Sequence, residues 1–150
     1  MKMAEKRNPA LVELVLVILF FALSSVVLVQ VFVKAHLISE ESRAQTLGLT
    51  AAEDLLEQWK EFPAQPERLF SLENGWKEEE TAGSVRIFRA GCDSDMEPVP
   101  LEEAAYEIRA ELWTEEKEAG ELYHIRVLVT GIRDGKTQVE LETARYAAGI

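Results

Sequence analysis

Cysteine is almost absent: Cys92 is the single one among 150 residues. A lone thiol excludes an intrachain disulfide and a cysteine-based zinc site, leaving a small buried hydrophobe or an unpaired thiol. Histidine is nearly as scarce. His36 flanks an apolar run and His124 sits in an alternating stretch, and both read as structural. No P-loop, HExxH, CxxC or nucleophile-elbow pattern occurs. The common catalytic constellations are therefore missing, no cofactor is implied, and the chain does not read as an enzyme. Positive charge is short as well. From Lys34 onward, 13 Lys/Arg face 25 Asp/Glu, a balance of −12. Such a surface is soluble and repels phosphate backbones, so nucleic acid is not an expected partner.

What the chain does have is a run of 24 residues, Ala10 to Val33, almost wholly apolar apart from one carboxylate, Glu13. About 20 apolar residues cross a bilayer core, so this run is long enough with some tilt. Lys2, Lys6 and Arg7 precede it, and Glu40 and Glu41 follow soon after Lys34. The positive-inside rule then places the N-terminus in the cytoplasm and the rest across the membrane. A secretory signal peptide would have a shorter core, about 7–15 residues, closed by an A-x-A-like site, so a retained anchor is expected. An ionised group inside such a segment costs a few kcal/mol on insertion scales, which makes Glu13 a functional candidate by default. The plainer account of Glu13 is a carboxylate near the headgroups, stabilised by the helix N-terminus.

Helical patterning does not stop at the membrane edge. Leu37, Ala44, Gly48, Ala51, Leu55, Trp59 and Phe62 recur at spacings of three, four or seven, which lays them along one face. Asn8-Pro9 reads as an N-cap with Pro at the first helical position, and Pro63 and Pro66 end the helix. One helix is predicted from about Pro9 to Phe62, on the order of 80 Å long, with a hinge allowed near Lys34 or Gly48. Beyond Pro66 the period becomes alternating. Strands are predicted at Val85–Ala90, Tyr106–Leu112, Leu122–Thr130 and Val139–Thr143, the third central, with a tight turn at Asp134-Gly135. Ala64 to Gly83 reads as an ordered loop with one helical turn at Glu67–Leu72 and a solvated acidic run, Glu78-Glu79-Glu80. The expected fold class is α+β: one long N-terminal helix packed on a roughly four-stranded antiparallel sheet, with Leu55, Trp59 and Phe62 as the helix–sheet packing residues. Asp93-Ser94-Asp95 offers two carboxylates to a calcium ion, but a hairpin loop is the plainer account, and no metal site is assigned.

The segment Asn8-Pro-Ala-Leu-Val-Glu13-Leu, followed by Val-Leu-Val-Ile-Leu-Phe-Phe, resembles the class III signal of the type IV pilin and type II secretion pseudopilin family. In that signal a Gly precedes Phe-Thr-Leu-Ile-Glu-Leu and an apolar helix. Leu11, Val12, Glu13 and Leu14 match Leu, Ile, Glu and Leu. The resemblance covers the first 60 or so residues by motif and the rest by architecture. It implies a pilin-like fold, cleavage between Asn8 and Pro9, and Glu13 as the assembly glutamate that pairs with a neighbour's N-terminal amine. Asn8 and Pro9 depart from the family's Gly and Phe or Met, so processing at that bond is left open, and an uncleaved chain would pair Glu13 with a neighbour's amine or with Lys6 or Arg7. The resemblance further implies a leader-like cytoplasmic segment 1–8, a transmembrane half 9–33, an amphipathic half 34–62 and a sheet domain 63–150. Its partners would be other pilin-like subunits, an inner-membrane assembly platform and membrane lipid. The expected role is a structural subunit, a minor component of a type II secretion, type IV pilus or competence-type system. The competing reading is a single-pass anchored binding protein with no filament role.

Overall fold

The structure, a computed structural model, describes residues 8–79 and 83–148. Met1 to Arg7, with the basic residues Lys2, Lys6 and Arg7, and Glu80 of the acidic run lie outside the described residues. The chain divides into two compact units, Met1–Glu41 and Ser42–Ile150. Helix α1 covers Pro9–Glu61. It starts where Pro9 can sit without wasting an amide, and the Asn8 carbonyl accepts from the Leu11 and Val12 amides at 3.0 and 3.3 Å. It stops one residue short of Phe62, two before Pro63. The helical assignment is unbroken at both Lys34 and Gly48.

Six antiparallel strands form one sheet: β1 (Lys77–Glu79), β2 (Arg86–Cys92), β3 (Pro98–Val99), β4 (Tyr106–Lys117), β5 (Gly120–Gly131) and β6 (Thr137–Ala148). The order is β1-β2-β4-β5-β6, and β3 shares with β1 the same edge of β2. The α+β layout is therefore the observed one, with two more strands than the alternation predicts. The extra pair, β1 and β3, have three and two residues, too short to show a period. Glu78 and Glu79 belong to β1 rather than to a loop, opposite Phe88 and Ile87. In place of one helical turn at Glu67–Leu72 there are two 3-10 turns, Pro66–Arg68 and Leu72–Asn74. Pro66 starts the first, and Gly75, at φ 81°, ends the second. The strand expected at the centre, β5, lies between β4 and the edge strand β6, while β4 is the middle of the five-strand path.

Alternation assigns the faces. Phe88, Ala110, Val127 and Leu141 stand abreast on one face, as do Leu112, Ile125 and Thr143. The Ser42–Glu61 part of α1 covers this face. Ala52, Leu55, Leu56 and Trp59 join Phe70, Trp76, Phe88, Ala110, Leu112, Ile125, Val127 and Val129 in one core. Trp59 is 1% exposed and among the largest fully buried side chains. Phe62 differs from the expectation. It lies past the helix end, 44% exposed and outside the core, with the Arg68 guanidinium 4.6 Å over its ring. Ala52 and Leu56 take the inward places instead, because 3.6 residues per turn carries the buried stripe around the helix. Phe70 stacks on Phe88 and meets Trp76 edge-on, both at 4.8 Å, which seals the end of the core near the 3-10 turns.

Gly48 is buried against the sheet, and the helix runs through it unbroken. A Cβ added there would lie 3.4 Å from methyl carbons of Val129 and Val139. That is ordinary contact, so Gly48→Ala is expected to raise stability by up to about 1 kcal/mol through helix propensity. Gly48→Leu must push β5 and β6 away and is expected to cost about 1–3 kcal/mol. Urea unfolding of the two variants in neutral detergent checks the opposite signs.

Candidate functional site

The first candidate is the apolar part of α1. From Leu11 to Val33 every large hydrophobic side chain is exposed, between 45% and 72%. Its most apolar window reaches a mean hydropathy of 2.8 with nothing buried, so this stretch is a candidate membrane anchor. In water, exposed apolar surface on this scale marks a membrane or a partner. Glu13 lies one turn in from Pro9, exposed, with no charged partner among the described residues. Polar contact within the run is slight: the Ser25 hydroxyl donates to the Phe21 carbonyl at 2.8 Å, a bond back to the preceding turn. His36, past the run, lies 3.8 Å from Glu40 one turn on, both exposed.

The second candidate, Asp93-Ser94-Asp95, resolves into a turn. The Asp93 carboxylate accepts from the amides of Asp95 and Glu97 at 2.8 and 3.0 Å, an Asx-type turn. Asp95 faces Arg43 of α1 at 2.5 Å, so the loop is strapped to the helix. Met96 takes a φ of 63°, rare for a residue with a side chain, and packs against the core near Gly48. Each carboxylate is already engaged. Among the described residues no group of three or more His, Cys, Asp or Glu could hold a metal ion.

Cys92 is buried, its Sγ 3.5 Å from Met96 Sδ and from the Tyr106 carbonyl oxygen. Burial, with the Asp93 carboxylate adding to it, pushes the thiol up to about 11. The fold thus favours the neutral thiol. That stability is complete below the unfolded value of about 8.5 and is lost as pH rises through about 11. At pH 8, alkylation of Cys92 in the folded protein is expected to be roughly a hundredfold or more slower than in denaturant. Mass spectrometry of iodoacetamide-treated samples measures the ratio, and equal rates would mean an open thiol.

His124 stacks face to face on Trp113 at 4.9 Å, and its Nε2 is 3.5 Å from Glu115 without a hydrogen bond. This pair belongs to the outer face of the sheet, which carries a ladder of charges. Arg89 meets Glu107, and Arg109 meets Glu111 at 3.0 Å. Arg126 faces Glu111, Glu140 and Glu142 at 3.5, 3.6 and 3.0 Å. The alternation of Glu107, Arg109 and Glu111 foretells a charged face. The Arg43–Asp95 strap, 52 residues apart, leaves no sequence signal.

Compared with known proteins, the chain matches no family model, no curated protein and no solved structure. Its function therefore rests on its own residues. The cavity beside Trp59, about 140 Å³, is lined by Pro63, Arg86, Leu112 and Tyr123, and Arg86 is already held by Glu67 and Glu78. The Arg86 hydrogen bond keeps the Glu67 carboxyl below the usual range. The apolar stretch of α1, with Glu13 as its single carboxylate, is left exposed.

Proposed function

We propose that this chain is a pilin-like structural subunit that assembles laterally through the N-terminal part of α1, as a minor component of a type II secretion, type IV pilus or competence-type machine. The observation that carries the reading is Glu13: a carboxylate one turn into a helix whose large hydrophobic side chains from Leu11 to Val33 are all exposed. A carboxylate in hydrocarbon is tolerable when a cation meets it at the same depth, and a neighbouring subunit's N-terminal amine supplies one. The apolar surface around it packs against lipid and against neighbouring helices, where van der Waals contact holds spans together. The pilin-like fold belongs to the same proposal, supported by a long helix whose second half covers an antiparallel sheet. Asn8 and Pro9 in place of the family's residues favour a subunit added once over a bulk filament subunit.

Intact mass and N-terminal sequencing of protein from native membranes, with its machinery co-expressed, tests the processing. A chain beginning at Pro9 supports filament entry. A chain retaining Met1 to Asn8 removes the processing step, and the proposal then survives only if Glu13→Ala abolishes association with partner subunits.

A further inference from the structure

The two edges of the sheet are treated differently. One is blunted: β1 has three residues, β3 has two and begins with Pro98, and together they cover the outer side of β2 in short pieces. Short, Pro-bearing edge strands resist pairing with another chain. The other edge is β6, 12 residues long, paired on one side with β5 and on the other with nothing among the described residues. None of its side chains from Thr137 to Ala147 is buried. Its only irregularity is a register shift at its start, opposite Val129 and Thr130. A long, regular edge exposes a row of amides and carbonyls ready to accept a further strand.

The side chains say what that strand would carry. On the outer face the charge ladder ends unbalanced at β6: among the described residues Arg126 faces both Glu140 and Glu142, and also Glu111, which Arg109 meets as well. Glu140 and Glu142 stay 58% and 47% exposed. On the other face Val139 and Leu141 are half-buried at the margin of the core, open toward the same edge. A strand laid beside β6 would therefore satisfy it with basic residues facing Glu140 and Glu142, alternating with apolar residues that extend the cover over Val139 and Leu141. A second copy of this chain does not meet that need. Antiparallel pairing centred on Glu142 would set that carboxylate against its counterpart, where like charges are destabilising, and pairing centred on Thr143 would set Glu142 against Ala144 and Glu140 against Tyr146, so neither register brings a cation to the pair.

We infer that the free edge of β6 is a strand-addition site for an extended segment of another protein in which basic and apolar residues alternate. Main-chain hydrogen bonds supply the affinity, and the carboxylate pair sets the partner's charge and register. The inference is independent of how the apolar helix assembles, since every group it uses belongs to the sheet.

The test uses the full chain in neutral detergent micelles and a labelled, capped heptapeptide alternating Lys and Val. Fluorescence anisotropy is expected to show saturable binding, and hydrogen exchange is expected to slow at the outward amides of β6 and not in β1. The double substitution Glu140→Lys with Glu142→Lys is expected to weaken binding about tenfold or more. The exposed pair Glu140→Gln with Glu142→Gln gives an intermediate loss if the charge reversal disturbs folding. The same peptide N-methylated at alternate residues keeps its charge but lacks donors, and is expected not to bind. No binding by the unmodified chain, equal binding of the methylated peptide, or protection mapped away from β6 would each overturn the inference.

Discussion

Trp59→Ala is expected to destabilise the unit formed by the second half of α1 and the sheet by about 3–5 kcal/mol. The reason is position rather than residue type. Trp59 is 1% exposed and joins Leu55 and Leu56 to Phe70, Phe88, Leu112 and Ile125. Removing the indole leaves a cavity that rigid strands on one side and a helix on the other cannot close. Typical domains have only about 5–15 kcal/mol of stability to lose, so the variant approaches unfolding at room temperature. Its buried Nε1 has no hydrogen-bond partner among the described residues. Trp59→Phe therefore forfeits volume but no hydrogen bond, and its cost is expected at about 1–2 kcal/mol. Urea titration in neutral detergent, followed by near-UV circular dichroism, gives both values. A Phe variant as damaged as the Ala variant would mean that the N–H has a partner.

The second large effect concerns the apolar half of the helix. Leu19→Arg, Leu23→Arg and Val27→Arg together are expected to cost about 10 kcal/mol of membrane insertion, at about 3 kcal/mol per Arg plus the apolar residue lost at each site. The three positions follow one another at four-residue spacing, so the charges share a face and cannot all snorkel from mid-bilayer. After alkaline carbonate extraction the wild-type chain is expected in the membrane pellet and the triple variant in the supernatant. All three residues lie outside the core around Trp59, so the variant's urea midpoint is expected to match the wild type. Retention of the variant in the pellet would mean that the run is not what holds the chain to the membrane.

Some of this was legible in the residues alone, for reasons that differ by element. The long helix is announced by Asn8-Pro9 at one end, Pro63 and Pro66 at the other, and an apolar period that never breaks between them. The Asp134-Gly135 turn is equally legible. Gly135 takes a φ of 64°, and the Asp134 carboxylate accepts from the Lys136 amide at 3.0 Å. Strands β4 and β5 run on to Lys117 and Gly120, past the predicted ends at Leu112 and Leu122. Residues 114–117 are all exposed, so side-chain pattern had nothing to report, while main-chain pairing continued. Phe62 departs from the helical period because the helix ends at Glu61, one residue before it. Glu13 was legible as a lone carboxylate in an apolar run, whereas the acidic edge at β6 needed the register that sets Arg126 beside Glu142.

The central claim is that the apolar helix is an assembly element that works through Glu13, and cross-linking in native membranes tests it most directly. A photo-reactive residue introduced at Leu16, one turn beyond Glu13, is irradiated in the presence and absence of Glu13→Ala. The account predicts cross-linked species joining this chain to neighbouring helices when Glu13 is present, and their loss when it is alanine. Monomer alone in both, or the same cross-links in both, would contradict it.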